Sequence, residues 1–234
     1  DSPLTLADKN ANDVINSYLI KTGIPIISEE NAQTDYEIRK EWTTCWIVDP
    51  LDGTKEFVKR NGEFTVNIAL VKNGKPVLGV IYVPFTKKLY FADALKKAAY
   101  SYQMPSKDVS IEHILESAKK IKDFKEEDAI IKVVGSRSHM NQETTDYVDN
   151  LKLKFDKVEV VSKGSSLKFC LVAEGLADVY PRFAPTMEWD TAAAHAICKA
   201  VGVSVARTDA DEELMYNKEN LLNPWFIVKR SNFV

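Results

Sequence analysis

Residues 46–57 read Trp46-Ile47-Val48-Asp49-Pro50-Leu51-Asp52-Gly53-Thr54-Lys55-Glu56-Phe57, an apolar run that ends on two aspartates. The apolar run predicts a buried strand. Pro50 predicts a turn after Asp49, because the proline ring fixes its own φ and biases the preceding residue toward extended backbone. Two carboxylates three residues apart on such a turn can converge on one point. They would repel each other there, so convergence requires a cation, and a hard divalent ion such as Mg²⁺ suits oxygen ligands.

A glycine and a threonine follow the second aspartate and lead into a predicted helix start at Gly53-Thr54. Backbone N–H groups at a helix start have no partner within the helix and bind phosphate readily. The stretch therefore predicts a metal beside a phosphate. The ordinary alternative is an Asp-Pro turn with a capping aspartate, which explains that dipeptide alone but not the whole string.

The composition is that of a globular protein, with 45% hydrophobic and 28% charged residues in 234. The net charge of −3 argues against nucleic-acid binding through a broad basic face. It allows a small phosphorylated substrate, because metal ions can supply local positive charge. The sequence shows no signal-peptide pattern and no transmembrane stretch. Its three cysteines lack metal spacing. Together these features predict a cytoplasmic protein. Peripheral contact with the inner membrane face and a homodimer are left open.

The pattern of elements changes near residue 128. Residues 1–128 predict a helix over 7–22, a short strand over 24–27 and an antiparallel meander with a hairpin at Asn73-Gly74. From residue 129 to residue 234, strands and helices alternate, including a helix over 165–174 capped by its first serine. An antiparallel half joined to an α/β half predicts a layered α/β sandwich.

Two places in the chain read as incomplete. A glycine-containing turn is expected before the strand over 98–102, yet Asp93 is followed directly by Ala94. We therefore expect a few residues to be absent there. The first residues, Asp1-Ser2-Pro3, resemble the interior of a domain, so we also expect residues before them.

Five acids stand out by position: Asp8, Glu29, Asp49, Asp52 and Asp190. Asp8 begins a helix, where a partner for the helix dipole is the ordinary alternative. Glu29 follows a buried strand at its carboxyl end, where ligand sites gather. Asp190 precedes an alanine-rich helix, and a helix cap and a metal ligand share that geometry. Oxygen ligands on strand ends and helix starts are what metal-assisted phosphate hydrolysis needs.

Three segments together resemble the lithium-inhibited, magnesium-dependent phosphatase superfamily of inositol monophosphatases, fructose bisphosphatases and 3′(2′),5′-bisphosphate nucleotidases. They are Glu29-Glu30, Asp49-Pro50-Leu51-Asp52-Gly53-Thr54 and Trp189-Asp190-Thr191-Ala192-Ala193. The match runs from Thr5 to Val228 and implies an αβαβα sandwich of the inositol monophosphatase and sugar phosphatase type. Lys55-Glu56-Phe57 and the segment over 60–70 favour the bacterial bisphosphate nucleotidase group.

The resemblance also implies a role for each residue that matches the family's metal and water site. Two or three Mg²⁺ ions would be held by Glu29, Asp49, the carbonyl of Leu51, Asp52 and Asp190. Asp8 and Thr54 would orient and deprotonate the attacking water, and Glu29 joins them as the third candidate catalytic residue.

Substrate contacts are implied in the same way. The N–H groups of Gly53 and Thr54 would hold the phosphate that is cleaved, with Asp190 beside it. The nucleotide and its second phosphate would be contacted by Ser136, His139, Gly164 and Lys168. Lys168 supplies a point charge for that phosphate, whereas a loop histidine bonded to backbone is the alternative for His139.

The activity implied is the Mg²⁺-dependent removal of the 3′-phosphate from adenosine 3′,5′-bisphosphate, a housekeeping step of sulfate assimilation that Li⁺ inhibits. One alternative is an inositol monophosphatase or sugar bisphosphatase with the same metal core. Another is a non-catalytic nucleotide sensor that keeps the fold.

Overall fold

Two β-sheets and the helices packed on them form the part of the chain that the structure, a computed structural model, describes. That part comprises residues 5–106, 108–121, 130–135, 141–230 and 233. Its helices are α1 (Leu6–Leu19, continued by a 3₁₀ turn over Ile20–Thr22), α2 (Tyr36–Arg39), α3 (Thr54–Val58), α4 (Ile111–Ser117), α5 (Gln142–Lys152), α6 (Leu167–Ala173) and α7 (Glu188–Ala200).

The first sheet holds seven strands in sequence order: β1 (Ile26–Ser28), β2 (Thr44–Asp52), β3 (Thr65–Lys72), β4 (Lys75–Val83), β5 (Lys88–Asp93), β6 (Ala98–Gln103) and β7 (Lys119–Lys120). β1 and β2 are parallel, and the other neighbours are antiparallel. The second sheet contains β8 (Ile131–Gly135), β9 (Val158–Ser162), β10 (Val179–Arg182), β11 (Val203–Arg207) and β12 (Phe226–Arg230), in the order β11-β12-β10-β8-β9.

The layers follow from the alternation of side chains along the strands. Successive residues of a strand face opposite sides of the sheet: Ser28 donates a hydrogen bond to Asn12 of α1, whereas Ile27 lies in the core cluster that contains the buried residues of α7. In the second sheet, Val134 belongs to that same cluster, whereas Val133 packs with buried residues of α5. The order is therefore α1, first sheet, α6 with α7, second sheet, α5, which confirms the predicted αβαβα sandwich.

Helix α7 lies close against the first sheet because both surfaces carry small side chains. It contacts β2 to β6 on one side and β11 on the other. A Cβ atom added at Gly79 of β4 would stand 2.3 Å from the carbonyl oxygen of Ala193. Only glycine permits this approach, and the alanines of α7 complete it. The first turn of α7 is thereby held against the sheet that carries Asp49 and Asp52.

The sequence predicts that the strand ends at Asp49, before the proline. In the structure, strand β2 continues to Asp52. Asp49 pairs with Asn67 and Asp52 pairs with Thr65, so three steps on β2 match two steps on β3. This is a β-bulge, a site where a strand tolerates proline because the ladder is locally interrupted. The bulge replaces the expected turn and has the same effect, since it brings both aspartates to the sheet face shared by Thr65 and Asn67.

Two hairpins test the predicted turns. Asn73 and Gly74 both have positive φ, 50° and 71°, as the predicted two-residue hairpin requires. The chain also closes directly from Asp93 to Ala98, which are paired across β5 and β6. The Asp93 carboxylate accepts hydrogen bonds from the next N–H groups, and Lys97 adopts the positive φ of 50° that we expected from a glycine. The expected glycine-containing turn is thus replaced by one without glycine, and the expectation of absent residues at this point stays a prediction.

Three expectations concern the chain as a whole. Its three cysteines, which lack metal spacing, are free and buried. The division into halves at residue 128 stays a prediction, and one core cluster contains Ile81 from the first half and Ile197 from the second. Within the described ranges, every helix is too short or too polar to cross a bilayer.

Candidate active site

Three of the five predicted acids meet where the first sheet faces α7. One carboxylate oxygen from each of Asp49, Asp52 and Asp190 lies within 4.8 Å of the other two. The bulge of β2 supplies the first two side chains. Asp190 lies in the first turn of α7, which begins at Glu188 rather than after Asp190 as predicted. The acid accepts a hydrogen bond from the Met187 N–H at 2.7 Å, so it caps the helix with one oxygen while its side chain joins the cluster.

The surroundings of these carboxyl groups disfavour their negative charge in the absence of a cation. Burial raises the pKa of Asp49 well above its usual range, and the neighbouring Asp52 and Asp190 add to the effect. Burial, followed by the charge of Asp52, raises the pKa of Asp190 to about 7. Three closely spaced carboxylates that repel one another form a donor set suited to a hard divalent cation. The residues present therefore fit Mg²⁺.

Glu29 is a fourth acid, which lies beside Asp49 of the cluster. It follows β1, and its N–H donates to the Val48 carbonyl at 3.2 Å, which places it beside β2. Burial raises the pKa of Glu29 to about 7, with further contributions from Glu30 and Asp52, while a side-chain hydrogen bond with Asp49 opposes the shift. Glu29 thus lies in the electrostatic field of the other acids, and its role as a metal ligand stays a prediction.

Leu51, predicted to bind metal through its carbonyl, lies inside the bulge and is buried. Its N–H donates to Asp49 Oδ1 at 3.0 Å and so holds that carboxylate in place. The role of the carbonyl itself stays a prediction.

Asp8 and Thr54 form the pair that the sequence predicts. Asp8 is 2% exposed and Thr54 is 6% exposed, and the Thr54 hydroxyl lies 3.5 Å from Asp8 Oδ1. The other carboxylate oxygen accepts hydrogen bonds from the N–H and the hydroxyl of Thr5, which form a capping box at the start of α1. The helix-start alternative and the functional prediction are therefore compatible, because each uses a different oxygen.

A set of hydrogen-bond donors around Asp52 was missed by the sequence analysis. The Ser166 N–H donates to Asp52 Oδ2 at 2.6 Å, and the side chains of Thr65 and Asn67 each lie 3.4 Å from the same oxygen. The available signal was the alternation in Thr65-Val66-Asn67-Ile68, which puts two polar residues on the buried face of a strand. Ser165 does not cap α6 as predicted: its φ is 49°, and its hydroxyl pairs with that of Thr65 at 2.9 Å.

A cleft of about 300 Å³ opens beside the acids, with Asp52 and Asp190 in its wall. The cationic side chains that line it are Lys55, Lys59, Lys163, Lys168 and Arg182. Gly53, whose N–H is predicted to bind phosphate, also lines it and precedes the first turn of α3 with a φ of 92°. The cleft therefore brings the metal-type donors close to several cationic side chains, although Glu56 and Glu63 also line it.

Lys168 is the buried cation of this cleft, at 8% exposed. Burial lowers the pKa of Lys168 to about 8, against the opposing charge of Asp52, and Arg182 lowers it further. The ammonium group also lies 5.6 Å from the centre of the Tyr180 ring. A desolvated ammonium group that lines an open cleft is well placed to pair with an anion. Arg182 was missed by the sequence analysis.

Gly164 lines the cleft as expected, but its N–H donates to the Glu63 carboxylate at 2.8 Å. The amide predicted to bind the second phosphate therefore already has an acceptor. The predicted contacts Ser136 and His139 lie outside the described residues.

The profile of the inositol monophosphatase family matches residues 1–230, and the chain belongs to this family. Among its relatives, the 3′(2′),5′-bisphosphate nucleotidase CysQ of Salmonella typhimurium (strain LT2) is 45% identical over 97% of this chain and 85% of that protein. The CysQ protein of Escherichia coli (strain K12) is 43% identical with the same coverage.

Solved structures agree with the fold. The crystal structure of CysQ from Bacteroides thetaiotaomicron, described as a bacterial member of the inositol monophosphatase family, superimposes with a TM-score of 0.90 at 52% identity. The match covers 100% of this chain and 86% of that one. SaIMPase-II bound to inositol monophosphate shares the fold with a TM-score of 0.74 at 21% identity, covering 97% and 80% of the two chains. The resemblance stated from the sequence is confirmed.

Proposed function

We propose that the protein is a Mg²⁺-dependent phosphatase that removes the 3′-phosphate of adenosine 3′,5′-bisphosphate and gives AMP and inorganic phosphate. The observation that carries the proposal is the single cleft whose wall contains both the acids Asp52 and Asp190 and the buried cation Lys168. A substrate with two separate phosphates fits such a cleft. The relatives at 42–45% identity that carry the name 3′(2′),5′-bisphosphate nucleotidase support it.

Glu29, Asp49, Asp52, Asp190 and the carbonyl of Leu51 would hold two or three Mg²⁺ ions. When bound, the ions would lower the pKa of a water and neutralise charge on the phosphate. Two of these carboxylates are held in position by backbone N–H groups. One oxygen of Asp190 accepts from the Met187 N–H at the start of α7, and one oxygen of Asp49 accepts from the Leu51 N–H.

Asp8 and Thr54 would act on the attacking water, with Glu29 as the third catalytic residue. The Thr54 hydroxyl donates its proton toward Asp8, and a hydroxyl that donates can also accept a hydrogen bond from a water. A proton taken from that water can then pass through the Thr54 hydroxyl to the buried carboxylate. The Thr5 bonds keep Asp8 turned toward Thr54 throughout.

The second phosphate would bind near Lys168 and Arg182, while the N–H groups of Gly53 and Thr54 would hold the phosphate that leaves. Two cations in one wall provide charge for an anion that the acids would otherwise repel. Ser136 and His139 stay predicted contacts of the nucleotide, as does Gly164. A cytoplasmic location, a role in sulfate assimilation and inhibition by Li⁺ likewise stay predictions.

Phosphate release with Mg²⁺ tests the proposal. Adenosine 3′,5′-bisphosphate, inositol 1-phosphate and fructose 1,6-bisphosphate would be compared at equal concentration, and we expect a strong preference for the nucleotide. Equal or better turnover of the other two would retain the metal site and contradict the assigned second-phosphate contacts. Mg²⁺ binding without release from any of the three would favour a sensor instead.

A further inference from the structure

One oxygen of Asp52, Oδ2, is crowded with hydrogen-bond donors. The Ser166 N–H donates to it at 2.6 Å, the Ser166 hydroxyl lies at 2.9 Å, and Asn67 Nδ2 and the Thr65 hydroxyl lie at 3.4 Å. Donors on one side fix the rotation of a carboxylate and occupy the lone pairs of the oxygen they reach. An oxygen occupied in this way is a poor ligand, so a cation would be left the other oxygen, Oδ1.

The donors are held as firmly as the acid. Asn67 and Ser166 are each 1% exposed, and Asn67 Nδ2 also donates to the Ser166 hydroxyl at 3.0 Å. The same hydroxyl lies 2.9 Å from the backbone carbonyl of Asp190, so its one proton is donated either to that carbonyl or to Asp52, while the Ser166 N–H donates to Asp52 in both cases. Because burial excludes bulk water, solvent cannot readily replace a donor that is removed.

The fold explains how distant residues reach this point. The register of β3 against the bulge of β2 places Asn67 opposite Asp49 and Thr65 opposite Asp52, on one face. Ser166 comes from the other half of the chain, immediately before α6. It therefore links an acid from the first half to the carbonyl of Asp190 in the second.

We infer that Asn67 and Ser166 are positioning residues that hold Asp52 as a ligand through one oxygen and so set the affinity for Mg²⁺. The inference rests on the proposed function, which makes Asp52 a Mg²⁺ ligand. Partners of this kind, hydrogen-bonded to a ligand rather than to the metal, change metal affinity when removed. A purely structural role would instead lower thermal stability and leave Mg²⁺ affinity unchanged.

The test is a calorimetric titration with MgCl₂ in the absence of nucleotide. Asn67→Ala and Ser166→Ala should each weaken Mg²⁺ binding by about 10- to 100-fold, the range found for such partners. Ser166→Thr keeps the hydroxyl and should bind close to the wild-type value. The matched control is Tyr90→Phe, which takes one donor from the Glu174 carboxylate, 3.0 Å away in the wild type and apart from the acid cluster; its Mg²⁺ affinity should not change.

Unchanged Mg²⁺ affinity in folded Asn67→Ala and Ser166→Ala would overturn the inference. Thermal unfolding without metal checks that each variant folds. If Asn67→Ala does not fold, Ser166→Ala decides the test. It is the milder change, because it keeps the backbone N–H that makes the shortest bond to Asp52.

The two proposals fail separately. If the wild type releases no phosphate from adenosine 3′,5′-bisphosphate but the variants bind Mg²⁺ more weakly, the proposed function is contradicted and the positioning role is supported. If the wild type is active but the variants bind Mg²⁺ normally, the proposed function stands and the positioning role is contradicted.

Discussion

The Thr54 hydroxyl lies 3.5 Å from a carboxylate oxygen of Asp8, although the two residues are 46 positions apart in the sequence. Asp8 divides its two oxygens between different tasks, since Thr5 holds one at the start of α1. Asp190 repeats this arrangement at the start of α7 through the Met187 N–H. A capping bond orients each acid, so helix starts act as rigid supports for the site.

Asp8→Asn and Thr54→Ala should each lower kcat by about 10²- to 10⁴-fold, the usual contribution of a positioned proton acceptor. Thr54→Ser keeps a hydroxyl and should retain much more activity than Thr54→Ala. Steady-state kinetics at saturating Mg²⁺ would measure the effects. Equal activity of Thr54→Ala and the wild type would remove Thr54 from the proton path.

Asp49→Asn should reduce turnover by more than ~100-fold, because loss of a ligand charge exceeds the 10–100-fold loss seen for outer partners. The variant should nevertheless fold, since Asp49 is buried among like charges and an amide removes that repulsion. Phosphate release and thermal unfolding in EDTA would be measured together. A near-normal rate with normal Mg²⁺ dependence would contradict the assignment.

The sequence was sufficient to predict the order of layers and the acids. Hydrophobic patterning and the Asn73-Gly74 turn define the meander, and family motifs place Asp49, Asp52 and Asp190 together. It could not show that a bulge rather than a turn brings two of them to one face, because a bulge depends on the register with β3. Proline is compatible with either solution.

Hydrogen bonds between residues of opposite halves of the chain also could not be predicted from the sequence. Ser166 reaches Asp52 across 114 positions, and Glu63 takes the N–H of Gly164. Such contacts arise where the segment before α6 meets β2 and β3 of the first sheet, which no local pattern encodes. Lys97 shows the reverse case, in which a residue with a side chain adopts the positive φ expected of glycine.

Removal of the metal should make stability depend on pH. The pKa of Glu29 rises from 4.5 to about 7 and that of Asp190 from 3.8 to about 7. Between these limits the unfolded acids have released their protons while the folded acids still hold them. The metal-free protein should therefore lose stability as pH rises from about 4 to about 7.

Urea unfolding across this pH range in EDTA and in saturating Mg²⁺ would test that dependence. Bound cation favours the charged acids, so the fall in the free energy of unfolding should be smaller with Mg²⁺. Groups remote from the cluster, such as His195, contribute equally to both series and cancel in the difference. Parallel curves in EDTA and Mg²⁺ would contradict the assigned metal ligands.

Lys168→Ala should weaken binding of adenosine 3′,5′-bisphosphate more than binding of adenosine 3′-monophosphate, which lacks the second phosphate. Loss of a hydrogen bond to a charged group costs about 1.5–3 kcal/mol, or roughly 10- to 100-fold in KM. Lys59→Ala is the comparison, because Lys59 also lines the cleft but is exposed to solvent. Equal losses for both nucleotides would remove Lys168 from the second-phosphate site.

Gly164→Ala should raise KM for the bisphosphate through steric displacement. An added Cβ would stand 2.9 Å from the carbonyl oxygen of Glu63 and 3.0 Å from its Cβ, so backbone must shift on one side of the cleft. The control is Gly23→Ala, which has φ +69 and open space around the added atom. It should cost about 1–2 kcal/mol of stability through backbone strain and leave KM unchanged. A wild-type KM in Gly164→Ala would show that the cleft tolerates this shift and that Gly164 does not shape the substrate site.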